Sequence, residues 1–269
     1  MKLENRILNT FLEISKQSIL LVDEWRKGSK KILAKINVNG QADIVTKLDY
    51  QIEKNAEKIL NKRFPTFNFI GEEGFNSNYK LFNHDYIAMD PIDGTRSFVE
   101  GSKDWSISLC AVIGNLPCVA LLNIPDKSLL VTAIKGQGLK LNGKTTCFNK
   151  TTSTYKISVS PRQTVNVNKT LVNSKYKPTP ISALTPKIGA IINNEIDCAI
   201  YYPETGKSAS IWDYAAANFL ITEGGGTMKS FNGRDLPYQG TGVIHKKGWI
   251  AAKNEKIFNH IKNCVNHKL

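Results

Sequence analysis

The sequence predicts a mixed α+β fold, an α/β composition without a regular βαβ rhythm. Three observations lead there. Apolar residues recur at helical spacing near both ends of the 269-residue chain. Between them lies a series of short apolar runs separated by turn residues. Helices and strands do not alternate strictly, which argues against a doubly wound parallel sheet. A chain of this length can bury a substantial core, as one large domain or two smaller ones.

The elements follow in order. Leu3, Ile7, Phe11, Ile14, Ser18 and Val22 form a helical stripe that predicts a first helix over 3–27, closed near Gly28. Residues 28–43 carry Gly28, Asn37, Asn39 and Gly40 and read as a loop or a loose hairpin. Thr46 is the expected N-cap of a second helix. Asp49, three residues on, makes an acidic variant of the capping box. Ile52, Ala56, Ile59 and Leu60 continue that helix until Phe64-Pro65.

Strands are expected at 67–70, 86–90, 105–113, 117–123, 128–134 and 138–141. Asn115 and Pro125-Asp126 are turns between them, the pattern of an antiparallel meander. Gly136-Gln137-Gly138 has no helix after it and reads as a hairpin turn, not a dinucleotide fingerprint. Residues 143–156 are polar and threonine-rich, a connection between halves, so we expect domains at 1–145 and 146–269. Beyond it, strands are expected at 157–160, 188–193 and 196–202, and helices at 212–222 and 254–265.

Hydrophobic content of 41% and charged content of 22% are those of a soluble globular protein. No apolar stretch approaches the roughly 20 residues of a membrane span. Glu4, Arg6, Glu13 and Lys16 interrupt any signal-peptide core. Cys110, Cys118, Cys147, Cys198 and Cys264 form no C-x-x-C pair, which suggests reduced thiols and a cytoplasmic location. The net charge of +13 is spread along the chain without a basic block or a nucleic-acid module. It reads as a lysine-rich solvated surface, able to steer polyanionic substrates, and nucleic acid is not an expected partner. The four histidines show no metal-ligand spacing, and no nucleophile elbow occurs.

The densest chemical signal is Asp90-Pro91-Ile92-Asp93-Gly94-Thr95. The apolar run 86–89 reads as a buried strand ending at Asp90. Pro91 cannot donate a ladder hydrogen bond, so pairing is expected to stop there. Gly94 frees the backbone to turn. Such a turn can aim two carboxylates at one point, and hard cations such as Mg²⁺ take ligands of this kind. A Pro-Gly turn with solvated aspartates is the plainer alternative. Three further segments bear on the choice: Asp43-Ile44-Val45-Thr46-Lys47-Leu48-Asp49, Gly71-Glu72-Glu73-Gly74, and Trp212-Asp213-Tyr214-Ala215-Ala216-Ala217 before Gly224-Gly225-Gly226.

In this order the four motifs resemble the inositol monophosphatase superfamily, over about residues 35–233. The resemblance implies a layered α-β-α-β-α sandwich with the site between its halves. It also implies a magnesium-dependent, lithium-sensitive phosphatase of small phosphomonoesters, commonly a homodimer. By that resemblance Glu72, Asp90, Asp93 and Asp213 are metal ligands, with the backbone carbonyl of Ile92, for two or three Mg²⁺ ions. Thr95 and Glu72 would position the attacking water. Gly94 and Thr95 would turn their N–H groups to the phosphate, which Asp93 and Asp213 also approach. Asp49 and Thr46 match a pair near a further metal, a role that coexists with helix capping. Asp213 also opens a helix, where an acid is stabilising without any metal. Trp212 reads as core, and Glu73 as solvated.

Departures from the family pattern bear on the substrate. Arg96 replaces the second threonine that inositol-specific members carry after Asp-Gly-Thr. Gly206 stands where they carry a sugar-binding glutamate, with Glu204 nearby. The run Pro186-Lys187-Ile188-Gly189-Ala190 and the segment Ser158-Val159-Ser160-Pro161-Arg162 look more like bisphosphate nucleotidases. The sequence therefore favours a 3′(2′),5′-bisphosphate nucleotidase, with inositol monophosphatase as the alternative. Ser160, Lys187 and the loop Glu204–Ser208 are the specificity candidates. An aspartyl-phosphate mechanism uses D-x-D, whereas this chain has D-x-x-D. A non-catalytic basic nucleic-acid binder on the same scaffold would tolerate loss of the carboxylates, and all four are kept.

Overall fold

The computed structural model describes residues 1–28, 32–36, 42–74, 84–148, 154–160, 176–202, 209–239, 244–245 and 248–266. Five layers stack as α-β-α-β-α. The outermost holds α1 (Leu3–Lys27) and α2 (Lys47–Arg63), with the hairpin of β1 (Ile32–Ile36) and β2 (Ala42–Thr46) between them in sequence. Both helices pack their apolar stripes on one face of a seven-stranded sheet, through Ile7, Phe11, Ile52 and Leu60 against Ile87, Met89 and Leu109.

That sheet runs β3 (Asn68–Gly71), β4 (Tyr86–Asp93), β5 (Ser106–Ile113), β6 (Leu116–Ile124), β7 (Leu129–Ile134), β8 (Leu139–Leu141) and β9 (Lys144–Thr146), in that spatial order. From β4 onward neighbouring strands are antiparallel, the expected meander; β3 lies parallel to β4. The short helix α3 (Thr95–Val99) follows β4 directly. β9 falls within the segment expected to be only a connection, and the expected domain boundary at 145 lies inside it.

The other face of this sheet is covered by two helices, α4 (Leu184–Ile192) and α5 (Ile211–Glu223). α5 is apolar nearly all round because it is sandwiched, with Ala216 and Leu220 fully buried. Its far side meets the second sheet, ordered β11 (Tyr176–Pro178), β10 (Tyr155–Ser158), β12 (Cys198–Tyr201), β16 (Trp249–Ala252) and β14 (Thr227–Ser230). The small ladder of β13 (Ala209–Ser210) and β15 (Ile244–His245) lies before α5. The last layer is α6 (Glu255–Asn266), which buries Ile257, Phe258 and Ile261.

Two expectations are corrected. Residues 188–193 were read as a strand and lie in α4 up to Ile192. Every residue of α4 is buried. A continuous apolar run carries no periodicity, so helix and strand look alike in it. The pairing of β4 was expected to end at Pro91. It is only interrupted: Asp90 pairs with Ser108, the register shifts across Pro91–Ile92, and pairing resumes at Asp93 opposite Ser106.

Candidate active site

The interruption in β4 builds the site. Residues three apart in a regular strand point to opposite faces. Here the one-residue bulge sets Asp90 and Asp93 opposite Ser108 and Ser106, which are two apart and share a face. Both aspartates therefore point toward α4 and α5, on the side of Ala88 and Cys110. Gly94 then takes φ +86°, and α3 starts at Thr95.

Asp90 is 1% exposed. Burial pushes its carboxyl well above the usual carboxylate range, and the charges of Glu72, Asp93, Asp213 and Glu73 push it further. The fold thus gathers acids from β4, from the loop after β3 and from α5 around one buried carboxylate. Glu73, read from sequence as solvated, is half-buried and belongs to this group.

Each of the three aspartates also has a protein partner. Asp90 Oδ1 accepts the N–H of Ile92 at 3.0 Å. Asp93 Oδ2 accepts both the N–H and the hydroxyl of Thr185, each at 2.5 Å. The Ser106 hydroxyl makes a short hydrogen bond with the Thr185 hydroxyl. Asp93 in this way caps α4, whose own N-cap residue, Ala183, has no side-chain acceptor. Its carboxyl is raised by burial, a rise opposed by the Thr185 bonds and by Lys187. Asp213 Oδ2 accepts the N–H of Ser210 at 2.5 Å, capping α5 as its first-turn position predicts.

The capping box predicted at Thr46 is present. The Thr46 hydroxyl accepts the N–H of Leu48 at 3.1 Å, and Asp49 Oδ2 accepts the Thr46 N–H at 2.8 Å. Asp49 does more than cap. Its Oδ1 stands 3.1 Å from the Thr95 hydroxyl, which also lies 3.0 Å from the Ile92 carbonyl oxygen. One hydroxyl proton faces two acceptors. Asp49 is 0% exposed, and burial raises its carboxyl against the pull of these bonds.

Among the described residues no three acidic, histidine or cysteine groups stand close enough to grip an ion as they are. The donor chemistry nevertheless fits a hard cation: four carboxylates and a carbonyl, the acids mutually repelling, with Asp90 and Asp93 buried and Glu72 and Asp213 half-buried. Asp93 and Asp213 use one oxygen, Oδ2, for their helix caps. Ser108, cross-strand from Asp90, keeps a buried hydroxyl with no hydrogen-bond partner.

The specificity candidates divide. Ser160 and Lys187 come together, with Lys187 Nζ donating to Ser160 Oγ at 2.9 Å. Lys187 is 1% exposed, and burial lowers its amine to about 8 against the charges of Asp93 and Asp104. Glu204, Gly206, Ser208, Pro161 and Arg162 lie outside the described residues. Sequence reasoning missed Thr185, Ser106 and Ser108. Their signal is polar residues inside otherwise apolar runs.

Acids gathered around a buried carboxylate at a bulged strand end, closed by helices of the middle layer in an α+β sandwich, are the arrangement expected of the class the motifs resemble. The chain belongs to the inositol monophosphatase family, whose model matches residues 5–266. Inositol monophosphatase 1 of Saccharomyces cerevisiae is 32% identical over 133 residues, 49% of this chain and 45% of that one. Nus factor SuhB of Xylella fastidiosa is 25% identical over 81% of this chain and 83% of its own. Among solved structures, a staphylococcal IMPase complexed with products aligns at TM-score 0.83, with 18% identity over 99% of this chain and 97% of that one. An IMPase/NADP phosphatase complexed with Mg²⁺ and phosphate aligns at 0.82, with 20% identity over 98% and 97%. At these identities the solved structures establish the layered fold.

Proposed function

We propose that this chain is a Mg²⁺-dependent phosphomonoester hydrolase. The observation that carries the reading is the crowding of buried Asp90 by Glu72, Asp93, Asp213 and Glu73. Like charges so placed cost stability unless protons or a cation neutralise them. Glu72, Asp90, Asp93, Asp213 and the Ile92 carbonyl would hold Mg²⁺, as two or three ions. When bound, Mg²⁺ stabilises charge on phosphoryl oxygens and makes a neighbouring water a stronger nucleophile.

The chain's own residues do the rest. Thr95, tethered to Asp49, turns its oxygen to the attacking water, and Asp49 holds the proton that Thr95 gives up. Glu72 orients the same water from the neighbouring loop, after β3. The N–H groups of Gly94 and Thr95 face the phosphate. Family membership and the neighbour complexed with Mg²⁺ and phosphate support this reading. Inhibition by lithium and assembly as a homodimer belong to the same proposal.

The substrate we infer is a small phosphorylated polyol of the inositol 1-phosphate type. The relative of that name supports it, and so does the burial of Lys187, which keeps that amine from a remote phosphate. Adenosine 3′,5′-bisphosphate is the second reading. Arg96, exposed on α3 next to Thr95, favours it by offering a guanidinium to a second phosphate.

The experiment is phosphate release from inositol 1-phosphate, adenosine 3′,5′-bisphosphate and fructose 1,6-bisphosphate, with Mg²⁺ and with a chelator. Release that needs Mg²⁺ is expected, with the highest kcat/KM on inositol 1-phosphate. Release that survives chelation rejects the mechanism. A higher kcat/KM on the nucleotide transfers the assignment to the second reading.

A further inference from the structure

α2 carries two buried acids one turn apart, Asp49 and Glu53, at 0% and 6% exposure. Spacing of i, i+4 puts them on one helix face. Two carboxylates so placed persist only where donors meet them. Asp49 is met by Thr46 and Thr95. Glu53 reaches off the helix to the loop after β3. Its Oε2 accepts the N–H of Glu73 at 2.8 Å, and its Oε1 accepts the N–H of Gly74 at 2.6 Å. One carboxylate thus holds two consecutive amides through charge-assisted bonds.

The approach is close enough to dictate a neighbouring residue. A Cβ at Gly71 would stand 2.2–2.6 Å from the carboxyl carbon and oxygens of Glu53. With any other residue at 71 the carboxylate would have to shift off the amides it holds. Glu72 lies between these contacts, and its own N–H donates to the Met89 carbonyl on β4 at 3.3 Å. The backbone around Glu72 is therefore fixed at Gly71, at its own amide and at the two amides that follow.

We propose that Glu53 is a positioning residue, which sets the Glu72 carboxylate beside Asp90 by clamping the 71–74 loop through the amides of Glu73 and Gly74. Its effect on Mg²⁺ rests on the phosphatase reading above, whereas the clamp itself does not. A glutamate that merely stabilised the fold would lower the melting temperature on removal and leave metal affinity alone.

The test uses the full chain carrying Glu53→Gln. The amide keeps the shape, but its NH₂ faces a backbone N–H from which it cannot accept. Amide hydrogen exchange at Glu73 and Gly74 is read first. Mg²⁺ affinity is measured by calorimetry without substrate, and kcat and KM by phosphate release. We expect exchange to quicken at least about tenfold at the amide left facing the NH₂, and Mg²⁺ affinity to weaken about 10–100-fold, the usual range for residues behind a metal site. kcat should fall with it, while KM changes by less than about twofold. Unchanged exchange overturns the clamp. Faster exchange with wild-type Mg²⁺ affinity overturns its link to the site. A wild-type chain that neither binds Mg²⁺ nor releases phosphate overturns the proposed function and not the clamp, which exchange reads alone. Should Glu53→Gln not fold, Glu53→Asp keeps the charge but is one methylene too short to span both amides. Wild-type behaviour there overturns the proposal equally.

Discussion

Lys187 donates from Nζ to Ser160 Oγ across 2.9 Å, inside the fold and not toward solvent. The two residues were separate candidates for substrate contact. Instead they tie the middle of α4 to the segment just after β10, behind the Asp93 carboxylate that caps the same helix. Lys187 lies in an apolar run because its long stem packs like one.

The buried amine makes stability depend on pH. Its folded-state value of about 8 lies below the ordinary 10.5. Between these values the unfolded chain binds a proton that the folded chain has released, so stability rises with pH. The gain is fully present above 10.5 and is lost as pH falls through 8. A gap of this size corresponds to about 3 kcal/mol. Lys187→Met keeps the stem and removes the titration. Buried Tyr86 and Cys198, whose raised values pull the other way, are present in both proteins. The readout is therefore wild type minus variant, from urea unfolding at pH 7 to 10.5. That difference should climb by about 3 kcal/mol, and a flat difference rejects the buried ammonium.

Asp90→Asn should separate stability from activity. Asparagine keeps an oxygen for the Ile92 N–H and removes one charge from the crowd. In chelator-treated protein the melting temperature should rise by about 3 °C, near 1 kcal/mol for a chain of this size. Phosphate release should fall by more than about 100-fold, since losing a residue that only supports a metal ligand already costs about 10–100-fold. A lower melting temperature in the variant would mean that Asp90 is already compensated, and the crowding argument would go with it.

These cases also separate what the sequence discloses from what it hides. The Thr46–Asp49 cap was legible because both partners lie within one turn and their residue types are diagnostic. The acids at 72, 90, 93 and 213 were legible as motifs with sequence signatures. α4 was not, for a physical reason: its cap comes from Asp93, 92 residues earlier, so no N-cap residue precedes it. The bulge at Pro91 was half legible. Proline breaks the ladder, but only the partner strand decides whether pairing resumes, and Ser106 does so. Glu53 left one signal, an acid beside the buried stripe of Leu48, Ile52 and Ala56, while its partners sit 20 and 21 residues on.

The turn between the candidate metal ligand Asp93 and the catalytic candidate Thr95 offers the last test. Gly94 sits at φ +86°, where a side chain costs roughly 1–2 kcal/mol on its own. A Cβ there would also stand 2.6 Å from Ala183 Cβ and 2.8 Å from the Asp104 carbonyl oxygen. Neither neighbour is a flexible tip, so backbone must move. Gly101 separates the two effects. It has φ +77° and nothing within 4 Å of its added Cβ. Gly101→Ala should therefore carry the backbone strain alone, a fall in melting temperature of about 2–6 °C. Gly94→Ala should fall further, by about 5–10 °C. It should also lose activity out of proportion, because Ala183 opens the helix whose first turn bonds Asp93. Differential scanning calorimetry and phosphate release on both variants supply the comparison. Equal losses in the two variants would mean that the close approach of α4 to the turn contributes nothing to the site.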